Sequence, residues 1–161
     1  MLDEFEDLTY SDSRPGMILE IIRAYNLTWL EEVMDQGFIV MPMGDDPEIQ
    51  KVYEVIKEES SNFDINAIRI DEVQTSGRIT DEILEEIKQS KYFFVDLTNN
   101  RPNVYYELGY IHGFQKDKKN IIMMAKKGTT AHFDIRDMRT IYYKNADHLR
   151  IKLIQRLESI K

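Results

Sequence analysis

A strand-to-helix junction near the middle of the chain carries the side chains best suited to chemistry. Residues 92–95 form an aromatic, apolar run that ends at Asp96, and Pro102 follows after a polar loop. This pattern predicts a buried strand that passes into a helix, with Pro102 in the first helical turn. Asn103 and Glu107 are four residues apart and therefore share one face of that helix. We expect Asp96, Asn103 and Glu107 to converge at the end of the strand.

Two carboxylates at such a junction suit the cleavage of a glycosidic bond. One carboxylate can attack or stabilise an oxocarbenium-like transition state, and the other can bind the sugar hydroxyls or protonate the leaving group. A structural interpretation fits the spacing as well. Asp96 would then bond backbone N–H groups of its own loop, and Glu107 would pair with a cation such as Arg101.

The predicted helix that carries Glu107 has one apolar face, formed by Val104, Leu108 and Ile111. This face would lie against the sheet, and Asn100 could cap the start of the helix. Gly109 and Gly113 are four residues apart inside the helix, where each costs about 1 kcal/mol relative to alanine. We therefore expect both glycines to mark a close packing contact.

Strands and helices alternate along the chain. Apolar runs predict five strands, at residues 38–41, 65–70, 92–96, 120–125 and 139–143, and amphipathic stretches predict the helices that connect them. Asp46 would cap the first connecting helix, with Pro47 at its first position. The alternation predicts an α/β fold, a flavodoxin-like or Rossmann-like three-layer sandwich with a parallel sheet of order 2-1-3-4-5.

The N-terminal part stands apart from this alternation. Ile18, Trp29 and Val33 belong to a run with helical spacing, which predicts a helical extension over residues 1–36 that ends at Gly37. This extension would pack on the core or bind a partner protein. Residues 37–161 would form a single α/β domain.

The predicted strand order locates a binding crevice. Because the order reverses between the first and third strands, the loops at their carboxyl ends separate and leave a cleft. One side would be the loop after the first strand, the other the segment from Asp96 to Glu107, and residues 71–78 could cover it. The candidate substrate-binding residues are Pro42, Met43, Gly44, Asp71, Gly77, Asn103 and Tyr106.

Composition excludes several classes of protein. The chain has 161 residues and a net charge of -8, which disfavours binding to nucleic acid phosphates. It has no cysteine, no leader and no apolar run of membrane-spanning length, so we expect a cytoplasmic protein without disulfides or thiolate chemistry.

His112, His132 and His148 lack metal-ligand spacing, and we expect no metal. The usual phosphate-binding glycine motifs and the G-x-S-x-G elbow are absent, and we expect no cofactor.

Several short motifs together resemble the nucleoside 2-deoxyribosyltransferase-like superfamily, and more narrowly the bacterial TIR-like nucleotide-binding domains. They are residues 38–43 (FIVMPM), 96–98 (DLT), 102–104 (PNV) and 106–109 (YELG), and the resemblance covers roughly residues 37–145. It implies that Glu107 is the catalytic carboxylate and that Asp96 binds the sugar. It also implies cleavage of NAD or a related nucleotide in defence or signalling, often with self-association.

The sequence departs from this superfamily at two places. Residues 41–44 (MPMG) replace the tyrosine or Gly-Ser pair of many deoxyribosyltransferases, and Asn103 replaces the serine of phosphate-specific relatives. Two hypotheses follow, an N-glycosidic bond-cleaving enzyme that forms homo-oligomers and a nucleotide sensor that acts through a partner. The enzyme hypothesis favours NAD, because nicotinamide leaves a pyridinium nucleotide without protonation.

Overall fold

The computed structural model describes residues 34–72 and 79–161. Five strands are present in this part of the chain: β1 Asp35–Val40, β2 Ile65–Arg69, β3 Tyr92–Asp96, β4 Ile121–Lys126 and β5 Thr140–Tyr143. The α-helices of the same residues are α1 Pro47–Asn62, α2 Ile79–Gln89, α3 Pro102–Phe114 and α4 Ala146–Glu158. Strands and helices alternate as the apolar periodicity predicts.

The five strands form one parallel sheet of order β2-β1-β3-β4-β5. Val40 of β1 is paired with Val95 of β3, and Asp96 is paired with Met124 of β4. The strand order reverses between β1 and β3, which is the topological switch point of a doubly wound sheet. The predicted fold class and strand order are confirmed.

Side-chain alternation along the strands divides the core into two layers. One apolar cluster joins α1 and α4 to the sheet through Ile39, Phe94, Ile122, Met124 and Tyr143. The other joins α2 and α3 to the opposite face through Phe38, Val40, Phe93, Val95 and Met123. Consecutive residues of β3 thus contact different helices, and both faces of the sheet are covered, as a parallel sheet requires.

The helix starts follow local capping chemistry. Asp46 accepts a 2.9 Å hydrogen bond from the backbone N–H of Glu48, which confirms the predicted cap of α1. Pro102 opens α3 as predicted, but Asn100 does not cap this helix. The cap position is Arg101, whose side chain makes no capping bond, and the Asn100 amide instead donates to the carbonyl of Thr130 at 3.1 Å.

The glycines behave differently from the sequence prediction. Gly109 and Gly113 are exposed, and a Cβ added to either would have no atom within 4 Å, so the predicted close packing is wrong. The tightly packed glycine is Gly37, where a Cβ would lie 2.8 Å from Cγ2 of Ile65 and 3.3 Å from Cα of Ala67. Gly37 lies inside β1 and does not end a helix.

The first strand begins earlier than the sequence predicts. β1 begins at Asp35, so residues 35 and 36 belong to the sheet. The predicted helix within residues 1–33 lies outside the described residues. None of the helices in the described part of the chain has the length and apolarity that a membrane-spanning helix requires.

Candidate functional site

Asp96 ends β3 as a buried carboxylate held by three hydrogen bonds. Its Oδ1 accepts from the backbone N–H of Thr98 at 2.9 Å and from the Thr98 hydroxyl at 2.6 Å. Its Oδ2 accepts from the Tyr143 hydroxyl at 2.9 Å. The side chain is only 1% exposed, so both oxygens are satisfied inside the protein.

These bonds form a closed network at the carboxyl edge of the sheet. The Thr98 hydroxyl donates to Asp96 and accepts a 3.0 Å bond from the backbone N–H of Lys126, at the end of β4. Burial raises the pKa of Asp96, and the bonds from Thr98 and Tyr143 oppose that rise. Burial and the neighbouring carboxylate raise the pKa of Tyr143, which stays a neutral donor at physiological pH. Tyr143 was not predicted as a site residue, although its place at the end of the fifth strand was readable from the sequence.

Asp96 and Glu107 lie on different sides of the sheet. Asp96 bonds Tyr143, a member of the apolar cluster under α1 and α4. Glu107 is carried by α3, which covers the opposite face together with α2. No hydrogen bond joins the two side chains in the described structure. The structure therefore does not place the two acids in one hydrogen-bonded pair.

Glu107 lies in the second turn of α3 and is partly buried. Burial raises its pKa from 4.5 to about 7. Among residues 34–72 and 79–161 it has no hydrogen-bond or ion-pair partner, and the alternative pairing with Arg101 is not formed. A carboxyl group whose pKa is raised toward neutral suits a role in which it transfers a proton or changes charge during a reaction.

The other candidates on α3 and after β1 differ in exposure. Asn103 is exposed and Tyr106 is 63% exposed, so both are free to contact a ligand. Pro42 is buried, whereas Met43 is 52% exposed and Gly44 is exposed. Gly44, in the loop after β1, has φ of +147°, a conformation that favours glycine.

The structure describes only residues 71 and 72 of the segment 71–78 that was predicted to cover the crevice. Asp71 is exposed, and its two oxygens accept from Arg69 at 2.6 and 2.5 Å. This two-point pairing orients the Asp71 carboxylate toward its own strand. Gly77 lies outside the described residues.

Two cavities were not predicted from the sequence. The first, of about 460 Å³, lies at the carboxyl edge of the sheet between the starts of α1 and α4, and its lining includes Thr98, Lys126 and Tyr143. The second, of about 620 Å³, lies between α3 and the loop that follows β4. Glu107 lines neither cavity. Both are formed between segments distant in sequence, which is why periodicity did not indicate them.

Comparison with known proteins assigns neither a family nor a function to this chain. No protein-family model matches the sequence, and no curated protein is significantly similar to it.

Proposed function

We propose that this protein cleaves the N-glycosidic bond of a nucleotide, with Glu107 as the catalytic carboxylate and NAD or a related pyridinium nucleotide as substrate. The observation that carries the proposal is the setting of Glu107. It is a partly buried carboxylate without a cationic partner in the described structure, on the helix that follows the switch-point strand β3. Unpaired burial of a carboxylate costs stability, and such groups cluster at functional sites.

The chemistry of a pyridinium leaving group suits a site with one such carboxylate. When the bond between the anomeric carbon and the pyridinium nitrogen breaks, both electrons go to nitrogen and nicotinamide departs neutral. Positive charge develops on the ribose. Ionised Glu107 beside the anomeric carbon would stabilise this charge or attack the carbon, and water would then complete hydrolysis. The leaving group needs no proton.

Asp96 has a different part in this proposal. Its two oxygens already accept three hydrogen bonds, and its side chain is 1% exposed. We therefore assign it to holding the turn between β3 and α3, which sets where Glu107 lies. Contact between Asp96 and the sugar, which the family resemblance implies, would require this network to open.

The test is chromatography of the protein after incubation with NAD, nucleosides and deoxynucleotides. We expect release of nicotinamide from NAD, abolished in Glu107→Gln, because the amide keeps the volume of the side chain but not its charge. Glu158→Gln is the matched control, since Glu158 is an exposed carboxylate at the end of α4. Full turnover in Glu107→Gln would exclude the catalytic role. Release of free base from deoxynucleosides, with none of nicotinamide from NAD, would exclude the pyridinium substrate.

The separation of the two carboxylates favours a second function, a nucleotide sensor. Glycosidases that use two carboxylates place both groups at the scissile bond. Here Asp96 is enclosed by its hydrogen bonds to Thr98 and Tyr143 at the carboxyl edge of the sheet. Glu107 is on α3, which packs on the face opposite the cluster that contains Tyr143. A sensor would bind nucleotide and release no product. Calorimetry that finds saturable NAD binding, together with chromatograms that stay unchanged over long incubation, would support the sensor over the enzyme.

A further inference from the structure

The second cavity lies on a flank of α3 that does not carry Glu107. Tyr105, Leu108, Gly109 and His112 line it and recur at the spacing of one helix face. The opposing wall comes from the loop between β4 and β5, with Asn100 and Pro102 at one end. The loop residues of the lining are His132, Asp134, Ile135 and Met138. This cavity is therefore separate from the catalytic site proposed above.

The interior of the cavity is apolar and has space beside Gly109. Leu108 is buried, and Ile135 and Met138 are partly buried against the same apolar cluster. A Cβ at Gly109 would meet no atom within 4 Å, so the backbone of α3 borders open space at this point. The absent side chain leaves a flat surface that a planar ring can approach closely.

Hydrogen bonds and a ring contact connect the two walls of the cavity. The Tyr105 hydroxyl donates to Oδ1 of Asn100 at 2.8 Å, and the Asn100 amide donates to the Thr130 carbonyl at 3.1 Å. The Tyr105 and His132 rings meet edge to face, with centroids 4.4 Å apart. These contacts tie α3 to the loop, so binding would not require the loop to be ordered anew.

The lining also includes exposed polar side chains. His112, His132 and Asp134 line the cavity and are exposed. A neutral imidazole offers one N–H donor and one nitrogen acceptor, and the carboxylate offers acceptors. This combination complements the edge of a ring that itself carries both donors and acceptors. The volume of about 620 Å³ is in the range of small-molecule sites.

We propose that this cavity is a second ligand site, which binds a planar nitrogen heterocycle of nucleobase size. The ring would lie on the backbone at Gly109, against Leu108, Ile135 and Met138. Its nitrogen-bearing edge would face His112, His132 and Asp134. Apolar contact provides most of the affinity of such a site and the exposed polar groups provide orientation.

The test is an NMR titration of the full chain with adenine, and with benzene as a ring that lacks polar edges. We expect saturable adenine shifts at the methyl groups of Leu108, Ile135 and Met138, and weaker binding of benzene. Gly109→Leu should weaken adenine binding at least about tenfold by filling the cavity. Gly113→Leu is the matched control, because Gly113 is equally open on the same helix but does not line the cavity. There we expect an unchanged affinity.

Three results would overturn the proposal. They are no saturable shift, shifts confined to residues outside the cavity, and equal weakening by Gly109→Leu and Gly113→Leu. Benzene binding as tight as adenine binding would overturn the heterocycle assignment. If Gly109→Leu does not fold, the methyl shifts in the unsubstituted protein decide on their own. None of these results depends on Glu107, so the catalytic proposal can fail or stand independently.

Discussion

The hydroxyl of Tyr143 donates a 2.9 Å hydrogen bond to Oδ2 of Asp96 and so connects the end of β5 to the end of β3 across β4. Thr98 completes the connection by accepting from the backbone N–H of Lys126 at the end of β4. The carboxyl ends of three neighbouring strands are thereby joined through one buried carboxylate. The loop that leads to α3, and to Glu107, starts from this network.

Removing the Tyr143 hydroxyl should destabilise the fold. In Tyr143→Phe, Oδ2 of Asp96 loses its donor while staying buried, and we expect a loss of about 1–3 kcal/mol in the free energy of unfolding. Tyr142→Phe is the control, because Tyr142 is the exposed neighbour on β5, and its effect should be small. Urea unfolding of both variants measures the difference. Equal stability of the two variants would contradict the role of the hydrogen bond.

The same substitution should show a pH dependence. Without the Tyr143 donor the pKa of Asp96 in the folded state rises further above its unfolded value. Stability from such a group is complete below the unfolded pKa and is lost as the pH rises through the folded pKa. The deficit of Tyr143→Phe should therefore grow from acid to neutral pH. A deficit that is constant over this range would show that Asp96 does not sense the hydroxyl.

Glu107→Gln should stabilise the protein at neutral and higher pH. The pKa of Glu107 is 4.5 unfolded and about 7 folded, so its favourable contribution is present below about pH 4.5 and is lost as the pH rises through about 7. The full shift would correspond to about 3 kcal/mol, which solvent screening of a partly buried group reduces to about 1–2 kcal/mol. Unfolding curves at about pH 4 and pH 8 should show that the stability of the variant relative to the wild type increases by this amount between the two pH values. A gap that is the same at both pH values would contradict the raised pKa.

The pH dependence of turnover should reveal which form of Glu107 acts. If the ionised carboxylate stabilises the sugar cation, the rate of NAD cleavage should rise with pH and level off above about 7, the pKa of Glu107. A neutral purine or pyrimidine needs a proton on departure, and for such a substrate the rate should fall through the same range. Initial rates between about pH 5 and pH 9 distinguish the two. A flat profile would remove Glu107 from the chemical step.

Alanine at the glycines should have opposite effects on stability. At Gly37 the added Cβ would lie 2.8 Å from Ile65 and 3.3 Å from the backbone of Ala67, and we expect a loss of about 1–3 kcal/mol from overpacking. At Gly113 the Cβ meets nothing, and alanine should add about 0.5–1 kcal/mol through helix propensity. Thermal unfolding measures both. A destabilising Gly113→Ala would show that this face of α3 is covered.

Much of the fold was predictable because its cause is local. The strand ending at Asp96 and the helix beginning at Pro102 follow from an apolar run and a proline, and the cap at Asp46 follows from the residue type. Strict alternation of strands and helices restricts the topology to parallel crossovers of one hand. Each of these features is determined by residues that are close together in the sequence.

The surroundings of the glycines and the cap of α3 depend on residues that are distant in sequence. The sequence around a glycine does not indicate which residues pack against it. Gly109 and Gly113 border open space, whereas Gly37 packs closely against β2. Asn100 has the residue type of a cap, but its amide bonds Thr130 thirty positions later. The hydrogen-bond acceptor of such an amide is set by the tertiary structure, because hydrophobic periodicity does not indicate which distant segments become neighbours.

The sequence by itself determined that a carboxylate follows the third strand and that another lies one turn into the next helix. Only the tertiary structure decided their environments. Asp96 is buried and accepts hydrogen bonds from Thr98 and Tyr143, whereas Glu107 remains partly buried without a partner in the described residues. The reason is that side chains alternate across a sheet. A residue at a strand end and a residue on the following helix can therefore be close in sequence and lie on opposite faces.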